Sequence, residues 1–378
     1  MINTTKLIDG NPDRKGSPMN DARTFTHPLL TEAGIKAIPY DKDGCLAPLY
    51  IPSDGKGTAE ELALIAGWYG GNPLMLAAAK EALAWTMKSA PLPKIYIVEA
   101  QRDGDRRCFD SLGGISYVPR ALSPESEGIW LKEALWGIGA REAVKDGYTK
   151  LVFIDLDCSF LKQDWAIDVS NALDKNDVIS PYLGYYRAGQ RDWLTTGIYP
   201  SRGYTYVTKG TCIGAPGIAK GMTSAFFTNQ FKSQMPVFVD SATDHYIWVM
   251  LRPSFGSLFS DRFPHILDKG EPKPLDPLPR IGYAHQIIVH HPHGSQASRH
   301  YWAKHAVTRE CFPKFGDGVR IMSDGMPCFS DPARGAVMKK TLAAIATADR
   351  RWTQAEAGEL TRRNLKEAGL EIYNIPRK

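Results

Sequence analysis

Two carboxylates separated by one residue stand at the end of the strongest strand pattern in the chain, over residues 150–160. Side chains alternate along extended backbone, so Asp155 and Asp157 are expected on one side of this strand and Leu156 on the other. Neighbouring carboxylates repel each other unless a cation lies between them, and oxygen ligands suit Mn²⁺ or Mg²⁺ bound together with phosphates. The pattern therefore predicts a divalent-cation site, and the alternative is a surface turn that follows a strand.

Six of the nine histidines lie between residues 285 and 305, at positions 285, 290, 291, 293, 300 and 305. A strand predicted over residues 285–291 would place His291 and His293 on one side and His290 on the other. Imidazole binds metals when neutral and can bind phosphate when protonated. We expect one or two of these histidines to be functional and the others to be surface or core residues. Alternation alone leaves His291 and His293 equal candidates for a metal ligand.

A second acidic pair, Asp240 and Asp244, comes just before a helix predicted to run to Leu251. An acid at the start of a helix can serve only as a cap. An acid poised over a pocket can instead act as a general base. The sequence leaves both roles open.

The elements that must position these residues alternate along the chain. Strands are predicted over residues 93–101, 113–119, 150–160, 177–183 and 285–291, and helices over 59–89 with a break at 70–73, over 128–146 and over 353–368. Residues 182–206 and 252–280 are predicted to be loops. The alternation indicates an α/β fold with a mostly parallel sheet and helices on both faces. We expect an N-terminal arm and helical cap over 1–90, a catalytic domain over 91–310 and a basic helical segment over 311–378.

Composition excludes several classes of protein. The 378 residues are 43% hydrophobic and 23% charged, which is incompatible with a disordered or collagen-like chain. The chain has no apolar run of transmembrane length, no signal-peptide pattern at its start and no CxxC spacing among its six cysteines. A cytoplasmic protein with reduced thiols is expected. The net charge of +5 resides in residues 334–378, which could bind a polyanion such as DNA or simply form a solvated helix face.

The order of the motifs resembles a known family. Residues 93–305 contain, in sequence, IYIVEAQ, IWLKEALWGIG, LVFIDLDCSF, GTCIGAPGIAK, DSATDHYIW and HPHGSQASRHY. This order is similar to that of GT-A fold, Rossmann-like, nucleotide-sugar-dependent glycosyltransferases. It resembles most the galactosyltransferase-type branch with its bacterial and phage relatives. The resemblance implies a GT-A catalytic domain with helical additions at both ends.

The resemblance implies roles for the acidic and histidine residues. Asp155 and Asp157 would be the DxD pair that meets the ribose and the metal, and His293 would be a third metal ligand. Asp244 would be the base that activates the acceptor hydroxyl. The glycines and second acid that the family often has before this base are replaced by Ser-Ala-Thr here, so Asp240 is a substitute candidate.

Three further residues are assigned to the nucleotide by the resemblance. Glu99 would lie by the nucleoside, and Lys132 would lie near the diphosphate or on the helix that packs it. Gly210 opens the GTCIGAPGIAK motif and would also belong to the nucleotide site.

The implied activity is metal-dependent transfer of a sugar from a nucleoside-diphosphate sugar, most simply a UDP-sugar, to an acceptor hydroxyl with inversion. The acceptor could be a glycan or a hydroxymethylated DNA base. One alternative is a phosphoesterase that uses the same aspartates and histidines with two metal ions. Another is a non-catalytic nucleic-acid-binding protein, which would leave the DxD motif unexplained.

Overall fold

The computed structural model describes residues 24–41, 45–52, 58–70, 73–189, 197–211, 214, 217–237, 247–248, 250–251, 275–292, 301–312, 318–347 and 352–373. Three of the predicted site residues, Asp240, Asp244 and His293, lie outside these ranges, as does most of the loop predicted over 252–280.

Strands and helices alternate along the described ranges. The strands are β1 (Thr24–Phe25), β2 (Ile38–Pro39), β3 (Leu62–Trp68), β4 (Lys94–Gln101), β5 (Ile115–Ala121), β6 (Lys150–Asp155), β7 (Cys158–Phe160), β8 (Val178–Ser180), β9 (Gly184–Arg187), β10 (Tyr199–Pro200), β11 (Ala219–Thr223), β12 (Ile281–Tyr283), β13 (Ile287–His290), β14 (Val319–Ile321) and β15 (Pro327–Phe329). The helices are α1 (Pro28–Glu32), α2 (Pro73–Thr86), α3 (Lys132–Lys145), α4 (Trp165–Lys175), α5 (Arg202–Lys209), α6 (Ser224–Gln230), α7 (Tyr301–Cys311), α8 (Pro332–Thr347) and α9 (Gln354–Glu367).

A seven-stranded sheet with the order β5-β4-β3-β6-β11-β8-β12 forms the centre of the fold. Strands β5, β4, β3 and β6 are mutually parallel, and β12 is parallel to β8. Only β11 runs against both of its neighbours in this sheet, β6 and β8. The chain leaves β3 for β4 and β5 on one side and then returns to β6 on the other. This reversal creates a switch point between the carboxyl ends of β3 and β6.

Both faces of the central sheet are covered by helices. Leu62, Leu64 and Ala66 of β3 share a hydrophobic cluster with α2 and α4. Ala63 and Ile65 point to the opposite face and share a cluster with α3 and α6. The predicted fold class, α/β with a mostly parallel sheet and helices on both faces, is confirmed.

The helix predicted over the first half of residues 59–89 is wrong, because this segment forms β3. Leu and Ala favour helices, and a strand buried on both faces shows a continuous apolar run rather than alternation. Strand β3 lies between β4 and β6. A domain boundary at residue 90 would therefore separate neighbouring strands of one sheet. The second half of the predicted helix is confirmed as α2.

A smaller sheet with the order β10-β9-β13-β7 lies next to the carboxyl end of β6. Strand β7 follows β6 after a two-residue turn and pairs antiparallel with β13. Strand β13 also pairs with β9 in parallel. The loop prediction over residues 182–206 is wrong for its described part, which contains β9, β10 and the start of α5.

The C-terminal helices form an addition to the central sheet. Helices α7, α8 and α9 share a cluster with Val98 and Ala100 of β4. A capping box begins α9, which confirms the helix predicted over 353–368. Oγ1 of Thr353 accepts a hydrogen bond from the N–H of Glu356 at 3.2 Å, and the Glu356 carboxylate accepts one from the N–H of Thr353 at 2.8 Å.

Candidate metal and nucleotide site

The carboxyl ends of β3, β4 and β6 bring the predicted nucleotide-site residues to one edge of the central sheet. Gly67 of β3 is the register partner of Asp155 at the end of β6. On its other side, Trp68 of β3 is the partner of Glu99 in β4. Ligands of open α/β sheets bind beyond the carboxyl ends of strands at the switch point. The sheet therefore presents Asp155 at the position where a ligand is expected.

Helix α3 comes unusually close to β3, and glycines allow it to do so. A Cβ atom at Gly67 would lie 2.9 Å from Cβ of Leu135, and a Cβ atom at Gly139 would lie 2.6 Å from Cγ2 of Ile65. Real Cβ atoms do not approach so closely, so side chains at either position would push the helix away. The close packing brings the N-terminus of α3 to the edge that holds Asp155.

Lys132, the first residue of α3, uses this proximity to bind Asp155. Its Nζ atom lies 3.2 Å from Oδ1 of Asp155 and donates a hydrogen bond to the carbonyl of Gly217 at 2.7 Å. The same ammonium lies 3.8 Å from the buried carboxylate of Glu133 and 4.9 Å from the centre of the Trp136 ring. Lys132 is itself buried. These contacts make Lys132 a positioning residue for Asp155.

Asp157 lies in the turn after β6 and faces the smaller sheet. Its Oδ2 atom is 3.7 Å from Nε2 of His290 at the end of β13. Asp157, Cys158 and His290 each offer a ligand atom, and these atoms lie within 4.8 Å of one another. Two strand ends from different parts of the chain therefore create a cluster that could hold a metal ion.

The donor set of this cluster fits a divalent cation such as Mn²⁺. Carboxylate oxygen and imidazole nitrogen both bind this ion, and Asp155 supplies a second carboxylate two residues away. Burial raises the pKa of the Cys158 thiol well above its ordinary value, and the neighbouring Asp157 and Asp155 carboxylates add to the effect. A hard cation prefers oxygen and nitrogen donors to sulfur, so Asp157 and His290 are the better-suited ligands of the three.

The structure places His290, a histidine outside the predicted pair of His291 and His293, beside Asp157. Alternation correctly separates His290 from His291, but His290 is the one that faces Asp157. His291 is completely buried on the other side, where its Nε2 atom lies 2.8 Å from Oγ of Ser159. Burial lowers the pKa of the His291 imidazole. The assignment of His293 as a third ligand stays a prediction.

Glu99 is fully buried, and its carboxylate is hydrogen-bonded to neighbouring segments of the chain. Its carboxylate accepts hydrogen bonds from the side chain of Gln101 at 2.6 Å, the backbone N–H of Cys108 at 2.9 Å and the hydroxyl of Tyr117 at 2.8 Å. These bonds tie the loop after β4 to Tyr117 within β5. Contact of Glu99 with a nucleoside stays a prediction.

Gly210 ends α5 in the left-handed conformation, with φ of 64°. Its N–H donates to the carbonyl of Tyr206, which satisfies one of the last acceptors of the helix. This role explains why a glycine is found there. Its assignment to the nucleotide site stays a prediction.

A cavity of 460 Å³, which the sequence does not indicate, lies next to the candidate site. Tyr69, directly after β3, and Trp130, before α3, contact each other edge to face at 6.0 Å and both line it. The opposite wall comes from α7 and α8. Trp130 also lies 5.8 Å from Nζ of Lys132, so the cavity adjoins the residues that hold Asp155. No local sequence signal indicates this cavity, because distant segments form its walls.

No family model matches the chain, and no curated protein matches it. Among solved structures, it is similar to the mannosyltransferase PcManGT from Pyrobaculum calidifontis in complex with GDP-Man and Mn²⁺, with 14% identity, a TM-score of 0.37, and coverage of 85% of this chain and 78% of that one. It is also similar to TarS 1–349 from S. aureus, with 12% identity and a TM-score of 0.35; 65% of this chain and 63% of the TarS chain are covered, less than two thirds of the latter. These identities are too low to transfer a substrate.

A further solved structure with similarity is a mannose-1-phosphate geranyltransferase from Thermus thermophilus, at 14% identity and a TM-score of 0.29, covering 61% of this chain and 75% of that one. Within the described ranges, none of the helices has both the length and the apolar character required to cross a membrane.

Proposed function

We propose that the protein is a glycosyltransferase that moves a sugar from a nucleoside-diphosphate sugar to an acceptor hydroxyl with the aid of Mn²⁺ or Mg²⁺. The proposal rests on one observation above all. Asp155 ends a parallel strand beside the switch point, and Asp157, two residues later, contacts His290 from a second sheet. A carboxylate pair with an imidazole at this position suits a cation that binds a diphosphate.

Asp157 and His290 would hold the cation, with Asp155 and the predicted ligand His293 as further candidates. The cation, when bound, would neutralise the negative charge that develops on the departing diphosphate. Lys132 keeps the Asp155 carboxylate in place through their 3.2 Å contact. The buried ammonium of Lys132 thus fixes the Asp155 carboxylate, whereas the Asp157 carboxylate lies next to the imidazole of His290.

Asp244 is the proposed general base for the acceptor hydroxyl, and Asp240 is its substitute. A base that acts directly on an in-line attack would invert the anomeric configuration. Both residues come before Ile247 and Trp248 in the chain. Ile247 and Trp248 are buried in the hydrophobic cluster on the face of the central sheet that α3 covers. The base would therefore come from a different part of the chain than the cation ligands.

A donor screen tests the proposal. The protein is incubated with UDP-glucose, UDP-galactose, UDP-GlcNAc and GDP-mannose in Mn²⁺ or in EDTA, and the released nucleoside diphosphate is measured. Turnover of at least one donor is expected in Mn²⁺ and not in EDTA. Equal turnover in both, or no binding of any nucleoside diphosphate, would contradict the proposal.

Two variants separate the cation site from the base. Asp157→Ala should lose metal-dependent donor binding, whereas Asp244→Asn should bind the donor and lose turnover. Asp103→Asn, at an exposed position, is the matched control and should behave as the wild type. Turnover retained in Asp244→Asn would move the base to Asp240.

The proposed acceptor is a glycan or a hydroxymethylated DNA base. The case for DNA rests on the basic C-terminal segment, but an intramolecular pair already neutralises part of its charge. Arg362 lies 2.5 Å from Glu310, which is outside the segment and offsets one of its positive charges, whereas the pair of Lys340 and Glu367 at 3.1 Å lies within the segment and is already counted in its net charge. Transfer of radiolabelled sugar to duplexes with or without 5-hydroxymethylcytosine tests the DNA acceptor, and a soluble glycan array tests the other.

The phosphoesterase alternative finds less support. Within the described residues, a single group of three ligands is close enough to hold a metal, and it contains Asp157, Cys158 and His290. A two-metal hydrolase needs ligands for a second ion about 4 Å away. Mn²⁺-dependent hydrolysis of bis-p-nitrophenyl phosphate, without any activity on nucleotide sugars, would favour this alternative.

A further inference from the structure

Three side chains from separate elements meet behind the candidate cation site. Nε2 of His291 lies 2.8 Å from Oγ of Ser159 in β7, and Nδ1 of the same ring lies 3.5 Å from Oε1 of Glu81 in α2. The ring of Trp85, one turn further along α2, contacts the imidazole edge to face at 5.4 Å. The imidazole is therefore enclosed by the second sheet and by the helix that follows β3.

An acid, a histidine and a serine in this order resemble the groups of a hydrolytic triad, but Nδ1 of His291 faces Glu81 without forming a hydrogen bond to it. Ser159, however, is completely buried, and its backbone in β7, the last strand of the second sheet, is paired with Val289 of β13. A hydroxyl in that position cannot attack a substrate. The three residues must act on the protein itself.

The backbone of His291 is also bonded to the segment that carries Asp157. Its N–H donates a hydrogen bond to the carbonyl of Asp157 at 2.8 Å, while its side chain bonds Ser159. His291 thus binds the residue before Cys158 through its backbone and the residue after it through its ring. The segment held in this way carries Asp157, and the residue next to His291 in the chain is His290. Asp157 lies two residues before Ser159, and His290 lies directly before His291. Both candidate cation ligands are therefore next to the contacts that His291 makes.

We propose that Glu81, His291 and Ser159 form a positioning triad that fixes Asp157 and His290 for cation binding. The proposal rests on the function proposed above. The Glu81 carboxylate faces Nδ1 of the imidazole at 3.5 Å from α2, and Nε2 of the imidazole bonds Ser159. The short β7–β13 pair can then present the carboxylate and the second imidazole at a fixed separation. Outer groups of this kind set ligand geometry and commonly change metal affinity by about 10- to 100-fold.

The test compares two serine variants. Ser159→Ala removes the hydroxyl that the imidazole binds. Ser170→Ala is the matched control, because Ser170 is also buried and accepts one side-chain hydrogen bond, from Nζ of Lys150 at 2.9 Å. Lys150 is at the opposite end of β6 from Asp155. Both variants lose one buried hydrogen bond, but only the first borders the cation ligands.

Mn²⁺ affinity without a donor is measured by the electron paramagnetic resonance signal of free Mn²⁺, and thermal unfolding is measured in EDTA. We expect both variants to unfold at similarly lowered temperatures. Ser159→Ala should bind Mn²⁺ at least about tenfold more weakly, and Ser170→Ala within about twofold of the wild type. His291→Gln, whose amide can still reach Ser159, should lie between Ser159→Ala and the wild type, and Glu81→Gln should weaken Mn²⁺ binding as well.

Equal Mn²⁺ affinity of Ser159→Ala and Ser170→Ala would overturn the positioning triad and leave the proposed transferase untouched. A wild type that binds no Mn²⁺ would overturn both the triad and the metal-dependent function. Weaker Mn²⁺ binding by Ser159→Ala, together with a wild type that turns over no nucleotide sugar, would support the positioning triad and contradict only the proposed transferase.

Discussion

Nε2 of His290 lies 3.7 Å from Oδ2 of Asp157, and this contact joins the end of the central sheet to the second sheet. Asp157 reaches it from the turn after β6, whereas His290 reaches it from the end of β13, more than a hundred residues later. The antiparallel pairing of β13 with β7 sets the separation of the two side chains. The candidate cation site thus depends on the packing of two sheets and not on the DxD motif alone.

His290→Ala should weaken Mn²⁺ binding at least about tenfold, because it removes the imidazole that faces Asp157. His293→Ala should also weaken binding if His293 is the third ligand that the family resemblance implies. Titration of Mn²⁺ by isothermal calorimetry measures both effects. The exposed His285 provides the control, since His285→Ala should leave the affinity unchanged. An unaltered affinity in His290→Ala would remove the imidazole from the ligand set.

The strands with strong β-branched patterns could be predicted from the sequence, but β3 could not. Strands β4 and β6 have Ile and Val between a proline or charged residue and an acid, whereas β3 consists mainly of Leu and Ala. Only its place between two other strands makes it extended, and that is a tertiary effect which overrides helix propensity.

The candidate site could be predicted only in part, for a similar reason. The sequence proposes Asp155 and Asp157 from a local signal, the DxD motif after a strong apolar run, and the structure places Asp155 at the end of β6 and Asp157 in the turn after it. It also places His290 and His291 on opposite faces, but it cannot say which face meets Asp157. The pairing of β13 with β7 decides that, and pairing partners about 130 residues apart leave no local pattern.

Gly67→Ala should destabilise the protein by about 1–3 kcal/mol, the usual cost of overpacking a core. The new Cβ atom would lie 2.9 Å from Cβ of Leu135 and force α3 away from β3. Urea unfolding measures the free energy of unfolding. Gly113→Ala is the control, because a Cβ atom there would meet nothing within 4 Å, and its free energy should change by less than about 0.5 kcal/mol. Equal effects of the two substitutions would refute the close helix–strand contact.

The N-terminus of α1 should be sensitive to acid through His27. Its Nδ1 atom accepts a hydrogen bond from the N–H of Leu29 at 3.2 Å, so the cap requires the unprotonated ring. Burial lowers the pKa of His27 from its ordinary value of 6.5. The unfolded state therefore binds the proton first as pH falls, and folding stability contributed by His27 is present above about pH 6.5 and declines below it.

His27→Asn tests this pH dependence, because asparagine caps helices without titrating. Urea unfolding of the wild type and of the variant is compared at pH 7.5, 6.5 and 5.5. The wild type should lose stability relative to His27→Asn between pH 6.5 and 5.5, while the difference between them stays constant above pH 6.5. Parallel pH profiles over the whole range would show that the His27 ring does not cap α1 in its neutral form.

Lys132→Met should distinguish two roles for a lysine at the start of α3. The family resemblance implies a place near the diphosphate, whereas the structure shows Nζ within 3.2 Å of Asp155 and 3.8 Å of Glu133. Removal of the ammonium leaves two carboxylates without this cation, one of them fully buried. If Lys132 positions Asp155, the free energy of unfolding in EDTA should fall by about 3 kcal/mol, the lower end of the cost of breaking a buried ion pair.

Mn²⁺ completes the test of Lys132, because a cation bound beside Asp155 would replace part of the lost positive charge. Saturating Mn²⁺ should therefore raise the unfolding temperature of Lys132→Met by more than it raises that of the wild type. Lys145→Met, at the exposed end of the same helix, is the control and should respond to Mn²⁺ as the wild type does. Full stability of Lys132→Met in EDTA, together with a large loss of UDP affinity measured by calorimetry in Mn²⁺, would instead assign Lys132 to the diphosphate.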